Sequence, residues 1–241
     1  IMDRNNSYRQ TLYKEEINQG NFLKLDCGIS NTNTRQICSM AFIYTLFGFR
    51  GIDVKASSKI ICETKKAISY AFSKAQQLSI KINSEPILIT SSKSSMFYKD
   101  SVNTFKNLLD QSINSGAEAF ELHIDSINMN SINEQLNTIK ERLPNKLVFI
   151  SLSRKNLSNT NIIELIKLAR EYIGNYLIVE VQGEEHNKDE DNFNSTLQSI
   201  STADIINKQL KLKDRKFKKL PLILAGGTNS FTSKLAKQCN V

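Results

Sequence analysis

The sequence predicts an α/β fold, a TIM-type (β/α) barrel of parallel strands in which seven βα units are present and the eighth is missing. Seven short apolar runs recur about 30 to 45 residues apart, the spacing that repeated strand–helix units produce. The segments between them carry apolar residues at helical intervals. Several runs are apolar on both faces, as parallel strands covered by helices are. Seven units in succession favour a closed barrel over an open sheet.

Each predicted strand is a run bounded by polar or turn-forming residues. The runs are Phe22–Cys27, Gly51–Ala56, Pro86–Thr90, Ala119–Ile124, Leu147–Leu152, Tyr176–Val181 and Leu220–Ala225. Four intervening helices are predicted from apolar stripes, which extend from Ile37 to Tyr44, Val102 to Ile113, Ile132 to Leu143 and Ile162 to Ile173. Gly48, Gly116, Pro144 and Gly174 follow these stripes as stop signals. Ser131 and Glu134 have the spacing of a capping box for the third of these helices.

The 241 residues match the length of about 250 that is typical of one such barrel. We expect residues 1–20 to form an extension that covers the barrel floor and residues 21–241 to form a single, incomplete barrel domain. The chain begins with Ile and stops at Val241 inside a helical pattern. We therefore expect a fragment, with the eighth strand and helix following Val241.

Composition indicates an ordinary globular protein, with 40% hydrophobic and 23% charged residues. No apolar stretch approaches the ~20 residues of a membrane span, and no signal peptide pattern opens the chain, so we expect a cytoplasmic protein. The net charge is +8, and much of the excess lies in Lys208–Lys219. Phe217 is the only aromatic residue in that run, so nucleic acid is not expected as a partner, although a binder using this run stays as a third, weaker hypothesis.

The four cysteines, Cys27, Cys38, Cys62 and Cys239, contain no C-x-x-C pair. Metal clusters need several closely spaced thiolates. We therefore predict free, mostly buried thiols and no metal.

Alternation along the strands predicts a polar barrel interior. Within each strand, polar residues share one face and apolar residues share the other, and the apolar face must meet the helices. The predicted inner polar cluster comprises Lys24, Asp26, Asp53, Glu121, Asp125, Ser151 and Gln182, together with Lys55, His123 and Glu180. Because buried charges must pair, we expect Lys24 and Lys55 to neutralise the carboxylates.

These polar groups crowd towards the carboxyl ends of the strands, where barrel enzymes have their sites. Lys55, His123 and Glu180 are the candidate catalytic residues, and a purely structural ion-pair network is the open alternative. Gly226, Gly227, Thr228 and Asn229 form the candidate anion-binding loop. Two glycines allow close backbone approach, and the helix predicted from about Thr232 would present free N–H groups to a phosphate.

Four segments resemble the light-dependent period (LdpA) family of cyanobacteria. They are Lys24–Ser30 (KLDCGIS), Tyr44–Ala56 (YTLFG…GIDVKA), Glu121–His123 (ELH) and Ala225–Thr232 (AGGTNSFT). The resemblance runs in order from about Lys24 to the end of the chain. It implies a regulatory barrel that gives light or redox input to the circadian clock, with clock or signalling proteins as partners.

The family carries iron–sulfur clusters on a cysteine-rich insertion that would fall near Ser91–Phe97. This chain has no cysteine between Cys62 and Cys239, so the cluster ligands do not carry over and no cofactor is expected. The family's Trp-rich segment has no counterpart either, since the chain contains no Trp. The first functional hypothesis is therefore an LdpA-like regulator without clusters. The alternative is a barrel enzyme acting on a small phosphorylated substrate.

Overall fold

Seven parallel strands form one curled sheet in the order β1 to β7, each hydrogen-bonded to the next. The structure is a computed structural model that describes residues 2–97, 102–153, 157–183 and 189–225, with the side chains of 2–8 and 189–193 outside that description. The strands are β1 Lys24–Asp26, β2 Gly51–Lys55, β3 Ile87–Lys93, β4 Ala119–Ile124, β5 Val148–Ser153, β6 Leu177–Gln182 and β7 Leu222–Ala225. The predicted TIM-type fold is confirmed over this part of the chain.

Helices alternate with the strands, and all but the first pack on the outer face of the sheet. They are α1 Met2–Asn18, α2 Thr34–Leu46, α3 Ser58–Gln77, α4 Val102–Asn114, α5 Met129–Arg142, α6 Asn159–Ile173 and α7 Asp189–Ile206. Short helical turns follow β3, α6 and α7 and precede β7, at Ser94–Phe97, Gly174–Tyr176, Asn207–Lys211 and Arg215–Phe217. Within the described residues, no helix combines the length and apolar character needed to cross a bilayer.

The helix ends follow the expected stop signals, but one cap differs from the prediction. Gly174 ends α6 with a φ of 63°, and its N–H donates to the Arg170 carbonyl. The capping box predicted from Ser131 and Glu134 is wrong, because the N-cap of α5 lies three residues earlier. Asn128 is its N-cap and accepts from the Ser131 N–H. Asparagine caps a helix as well as serine does, and spacing alone did not distinguish them.

The lower half of the barrel interior is apolar, and α1 closes it. Tyr13 and Ile17 of α1 pack with inward residues of the strands and of the segments just before them, namely Phe22, Ile87, Ile89, Ala119, Leu147, Phe149 and Ile178. The Tyr13 hydroxyl donates to the Glu85 carbonyl, and Gln10 bonds the backbone of Glu118 and Leu147. All three of these backbone groups precede strands, so α1 covers the amino-terminal end of the barrel. The opposite end is left for polar side chains.

Candidate functional site

Alternation along the strands places a group of ionisable side chains in the upper half of the barrel interior. Asp53 lies beside Asp26 and Ile89 in the sheet register, and His123 lies beside Lys93 and Ser151. Ser151 in turn lies beside Glu180. Asp53, Glu121 and Glu180 are each fully buried. Residues far apart in the sequence therefore meet above the apolar floor.

Lys24 is the centre of this group. Its ammonium group forms ion pairs with Glu121 and Glu180, and its Nζ lies 3.7 Å from Asp53 Oδ2. The same atom lies 5.7 Å from the centroid of the Phe149 ring. Burial alone would lower the pKa of Lys24, but the surrounding carboxylates raise it well above its usual range. The lysine is therefore held protonated.

The three carboxylates differ in their protonation. Burial would raise the pKa of Glu121, but Lys24 and His123 lower it to about 2, so Glu121 is the ionised partner of the lysine. Burial, followed by the negative charge of Glu121, raises the pKa of Asp53 well above its usual range and also raises that of Glu180. One ammonium group cannot balance three ionised carboxylates. The raised pKa values of Asp53 and Glu180 therefore favour their protonated forms more than in a free carboxyl group.

His123 connects this buried group to a cavity. Its Nε2 lies 2.9 Å from Glu121 Oε1, and its side chain is 14% exposed. Burial alone would lower the pKa of His123, but the Glu121 carboxylate raises it above its usual value. The imidazole is thus oriented from behind by a carboxylate while one side reaches open space.

The mouth cavity, of about 580 Å³, opens at the carboxyl ends of the strands. It is lined by residues at or just after the ends of β1, β3, β4, β5 and β6: Asp26, Gly28, Ile29, Ser30, Asn31, Lys93, His123, Ile124, Asp125, Ser151, Ser153, Gln182 and Gly183. Gly28 has a φ of 88°, a left-handed conformation that favours glycine, and its N–H donates to Asp26 Oδ1 over 2.7 Å. This turn folds the segment after β1 over the cavity.

The structure places the predicted site residues at three levels. Lys24, Asp53, Glu121 and Glu180 lie in the buried group, while His123 and Ser151 lie between that group and the cavity. Asp26, Asp125 and Gln182 lie at the rim. Gln182 Nε2 donates to Glu180 Oε1 over 3.1 Å and so joins rim to interior.

Lys55 stands apart from this arrangement. It is half-buried at the end of β2 and, within the described part of the chain, forms no ion pair with a carboxylate. The expectation that Lys55 helps to neutralise the inner carboxylates is therefore wrong, because Lys24 contacts all three. The predicted anion-binding residues, Gly226, Gly227, Thr228 and Asn229, lie outside the described residues. Ala225, immediately before them, is paired with the rim residue Gln182.

Lys93 is a cavity residue that the sequence reasoning missed. The predicted third strand ended at Thr90, whereas β3 continues through Ser91 and Ser92 to Lys93. Lys93 has the parity of the inward residues Ile87 and Ile89, so extending the alternation past the serines would have found it. It forms no ion pair with the described carboxylates.

The three described cysteines do not form a cluster site. Cys27, Cys38 and Cys62 are free thiols on different elements, and only Cys27 is buried. Burial, with nearby Asp53 and Asp26, raises the pKa of Cys27 to about 12. Among the described residues the one group with metal-ligand geometry is Asp53, Glu121 and His123, with ligand atoms within 4.8 Å of one another. A metal ion there would have to share Asp53 and Glu121 with the Lys24 ammonium group.

No protein-family model matches the chain, and no curated protein matches it by sequence. Solved structures do resemble it. The match to pyruvate carboxylase from Rhizobium etli covers 97% of this chain and 23% of the carboxylase chain, with 13% identity and a TM-score of 0.63. The match to a putative deoxyribose-phosphate aldolase from Toxoplasma gondii ME49 covers 95% of this chain and 98% of the aldolase chain, with 13% identity and a TM-score of 0.56.

A truncated 3-deoxy-D-arabino-heptulosonate 7-phosphate synthase from Thermotoga maritima covers 91% of this chain and 71% of its own, with 16% identity and a TM-score of 0.50. The chain spans about a quarter of the length of the pyruvate carboxylase. At these identities the likeness shows the fold, which is that of TIM-barrel enzymes.

Proposed function

We propose that the chain is a barrel enzyme that binds a small phosphorylated substrate in the mouth cavity and transfers protons with the His123–Glu121 pair. The observation that carries the proposal is the position of His123, in the cavity wall with Nε2 2.9 Å from a buried, ionised carboxylate. A carboxylate behind an imidazole orients the ring and stabilises its protonated form. This arrangement suits general acid–base catalysis.

The cations of the mouth cavity are available to a ligand, whereas its carboxylates are occupied. Lys93 and His123 both line the cavity. Asp26 accepts the Gly28 N–H, and Asp125 accepts from the hydroxyl groups of Ser94 and Ser95. These hydrogen bonds come from neutral donors and leave both carboxylates charged, so with His123 protonated the two cations and two carboxylates that line the cavity balance. An anionic group of the substrate would lie between Lys93 and His123.

Two of the structural neighbours bear names that contain phosphorylated sugars, the deoxyribose-phosphate aldolase and the heptulosonate 7-phosphate synthase. This supports the choice of a phosphate as the anionic group. Phosphate in such barrels often binds at the loops after the seventh and eighth strands. Gly226 to Asn229 follow β7 and remain our proposed phosphate loop.

The proposal is tested by thermal unfolding and calorimetry with inorganic phosphate and ribose 5-phosphate as probes. A ligand at 100 times its dissociation constant stabilises the native state by about 2.7 kcal/mol, which appears as a higher Tm. His123→Gln and Lys93→Met should each weaken binding on the order of tenfold or more, since each removes a charged contact. Lys81→Met is the matched control, because Lys81 is exposed before β3 at the amino-terminal end of the barrel.

The affinity should also fall as the pH rises through the raised pKa of His123, because the protonated ring is the one that attracts an anion. The proposal fails if neither probe binds to the wild-type protein. It also fails if His123→Gln binds both probes as tightly as the wild type does.

A second candidate, an LdpA-like regulator, is favoured by one further observation. The residues that carry the family resemblance converge on the same site: Asp26, Gly28 and His123 line the cavity, while Asp53 and Glu121 lie beneath it. In this function the cavity ligand would be a signal that alters contacts with a clock or signalling partner. A ligand that binds without turnover and changes the binding of such a partner would support it over the enzyme.

Either function would operate without iron–sulfur clusters. Within the described residues no group of three metal ligands includes a cysteine. Protein purified anaerobically should therefore contain no iron and show no visible absorbance band. Stoichiometric iron with such a band would refute this expectation.

A further inference from the structure

A second cavity, of about 840 Å³, lies at the end of the barrel opposite the mouth. We call it the floor groove. It is formed by α1, the end of α6 with the turn before β6, and the segment before β7. Six of its ten lining residues are basic: Lys14, Lys167, Arg170, Arg215, Lys216 and Lys219. Glu171 and Asp214 are its only acidic lining residues, which leaves a formal charge of +4.

Two of these cations are fixed in place by the protein. Lys14 Nζ donates to the Asn175 carbonyl over 2.5 Å. The Arg170 guanidinium donates to the Gly174 carbonyl, to Asn175 Oδ1 at 2.8 Å and to the Lys216 carbonyl at 3.2 Å. These hydrogen bonds hold an arginine and a lysine at the base of the groove while leaving their positive charges uncompensated.

None of the six cations forms an ion pair with a described carboxylate. The nearby Asp214 carboxylate instead accepts from the backbone N–H of Lys216 over 2.9 Å. Burial, followed by the positive charges of Arg170 and Lys219, lowers the pKa of Lys14. The fold thus brings like charges together from three separate segments, and neither Glu171 nor Asp214 forms an ion pair with any of them.

The shape and chemistry of the lining narrow the class of ligand. Phe217 is its only aromatic residue and is 4% exposed, so the groove has no open ring on which a nucleobase could stack. Lys167, Arg215, Lys216 and Lys219 are exposed and can close around an anion from several sides. Arginine and lysine together suit phosphate oxygens, arginine through paired hydrogen bonds and lysine as a point charge.

We propose that the floor groove is a binding site for a compact oligophosphate, separate from the mouth cavity and independent of the reaction there. Its fixed cations, Lys14 and Arg170, would contact the centre of the anion. The exposed side chains around them would neutralise its outer oxygens.

Calorimetry with tripolyphosphate tests this proposal. Lys216→Met/Lys219→Met should weaken binding at low salt by at least about tenfold, since charge-assisted hydrogen bonds to the anion are lost. The matched control, Lys59→Met/Lys66→Met, removes the same charge from exposed positions on α3 and should change the affinity by less than about twofold. In the His123→Gln background, where anion binding at the mouth is weakened, the same groove substitutions should lower the affinity for tripolyphosphate by the same factor as in the wild type.

Three results would overturn the proposal. The first is no binding of tripolyphosphate to the wild-type protein. The second is an equal loss in the groove and control variants, which would show only attraction to the overall charge of +8. The third is tighter binding of a short oligonucleotide with the same number of phosphates, which would make the groove a nucleic-acid surface.

Discussion

Lys24 determines the charge balance of the barrel interior. It contacts three buried carboxylates, of which Glu121 is ionised and Asp53 and Glu180 have raised pKa values. A buried ion pair of this kind adds little net stability compared with apolar packing, but removing one partner leaves the other charge uncompensated. Removing Lys24 should therefore lower the free energy of unfolding by a measurable amount.

Lys24→Met should destabilise the protein by about 3–5 kcal/mol, since Glu121 would then be a buried charge without its cation. Urea unfolding measures the difference. Lys81→Met, an exposed lysine changed in the same way, should stay within about 0.5 kcal/mol of the wild type. If Lys24→Met does not fold, the triple variant Lys24→Met/Glu121→Gln/Glu180→Gln should regain part of the stability. No difference between Lys24→Met and Lys81→Met would contradict the proposed charge balance.

The contribution of the His123–Glu121 pair to folding stability should depend on pH. The raised pKa of His123 means that its contribution to stability is complete below about pH 6.5, the usual value for the unfolded chain, and is lost as the pH rises through the folded value. Glu121→Gln should lower the pKa of His123, because burial would then act without the carboxylate. The chain has two histidines, so an NMR titration can resolve them. Glu63→Gln, in a half-buried residue on the outer helix α3, should leave the pKa values of both histidines unchanged. An unaltered pKa of His123 in Glu121→Gln would refute the coupling.

At the scale of single elements, the alternation of polar and apolar residues predicted which side chains face the barrel interior wherever the other face of the strand meets the helices. It identified Lys24, Asp53, Glu121 and Glu180 as inward residues, because Leu25, Ile52, Leu122 and Val179 needed apolar cover. It failed at the end of β3, where Ser91 and Ser92 are small enough to remain buried although they are polar. The strand was therefore predicted too short, and Lys93 was missed. The curl of the sheet determines which carboxylates share the Lys24 ammonium group. The alternation of polar and apolar residues carries no information about that curl.

The start of α5 gives a test at this scale. Asn128 Oδ1 accepts the Ser131 N–H over 3.2 Å, so Asn128→Ala should cost about 1 kcal/mol of unfolding free energy. Ser131→Ala removes a hydroxyl that accepts a hydrogen bond from Gln135 but does not cap the helix. It should therefore lower the unfolding free energy by less than Asn128→Ala does. The midpoints of urea unfolding of the two variants show whether Asn128 or Ser131 caps the helix. A larger loss in Ser131→Ala would restore the capping box that the spacing suggested.

For the whole molecule, the division of the barrel into an apolar floor and a polar mouth depends on α1. Tyr13 is fully buried beneath the strands, with an edge-on contact to Phe22, and Arg50 lies 5.2 Å from the centroid of its ring. Because α1 reaches the backbone before β3, β4 and β5, it holds the starts of three strands together. The same helix supplies Lys14 to the floor groove. The element outside the βα repeat therefore both closes the core and forms one wall of the proposed oligophosphate site.

Tyr13→Ala should destabilise the protein by about 3–5 kcal/mol, the usual cost of removing a large buried ring, because the floor would be left with a cavity. Tyr13→Phe keeps the ring and loses only the hydrogen bond to the Glu85 carbonyl, so about 1 kcal/mol is expected. Deletion of residues 1–18 should expose Phe22, Ile87 and Phe149 and increase the fluorescence of an added hydrophobic dye. Phosphate binding at the mouth should persist in Tyr13→Phe, since the ring still supports the interior. If the deletion variant unfolds as cooperatively as the intact chain and binds no dye, α1 is not the floor of the barrel, and the apolar residues above it must be covered in another way.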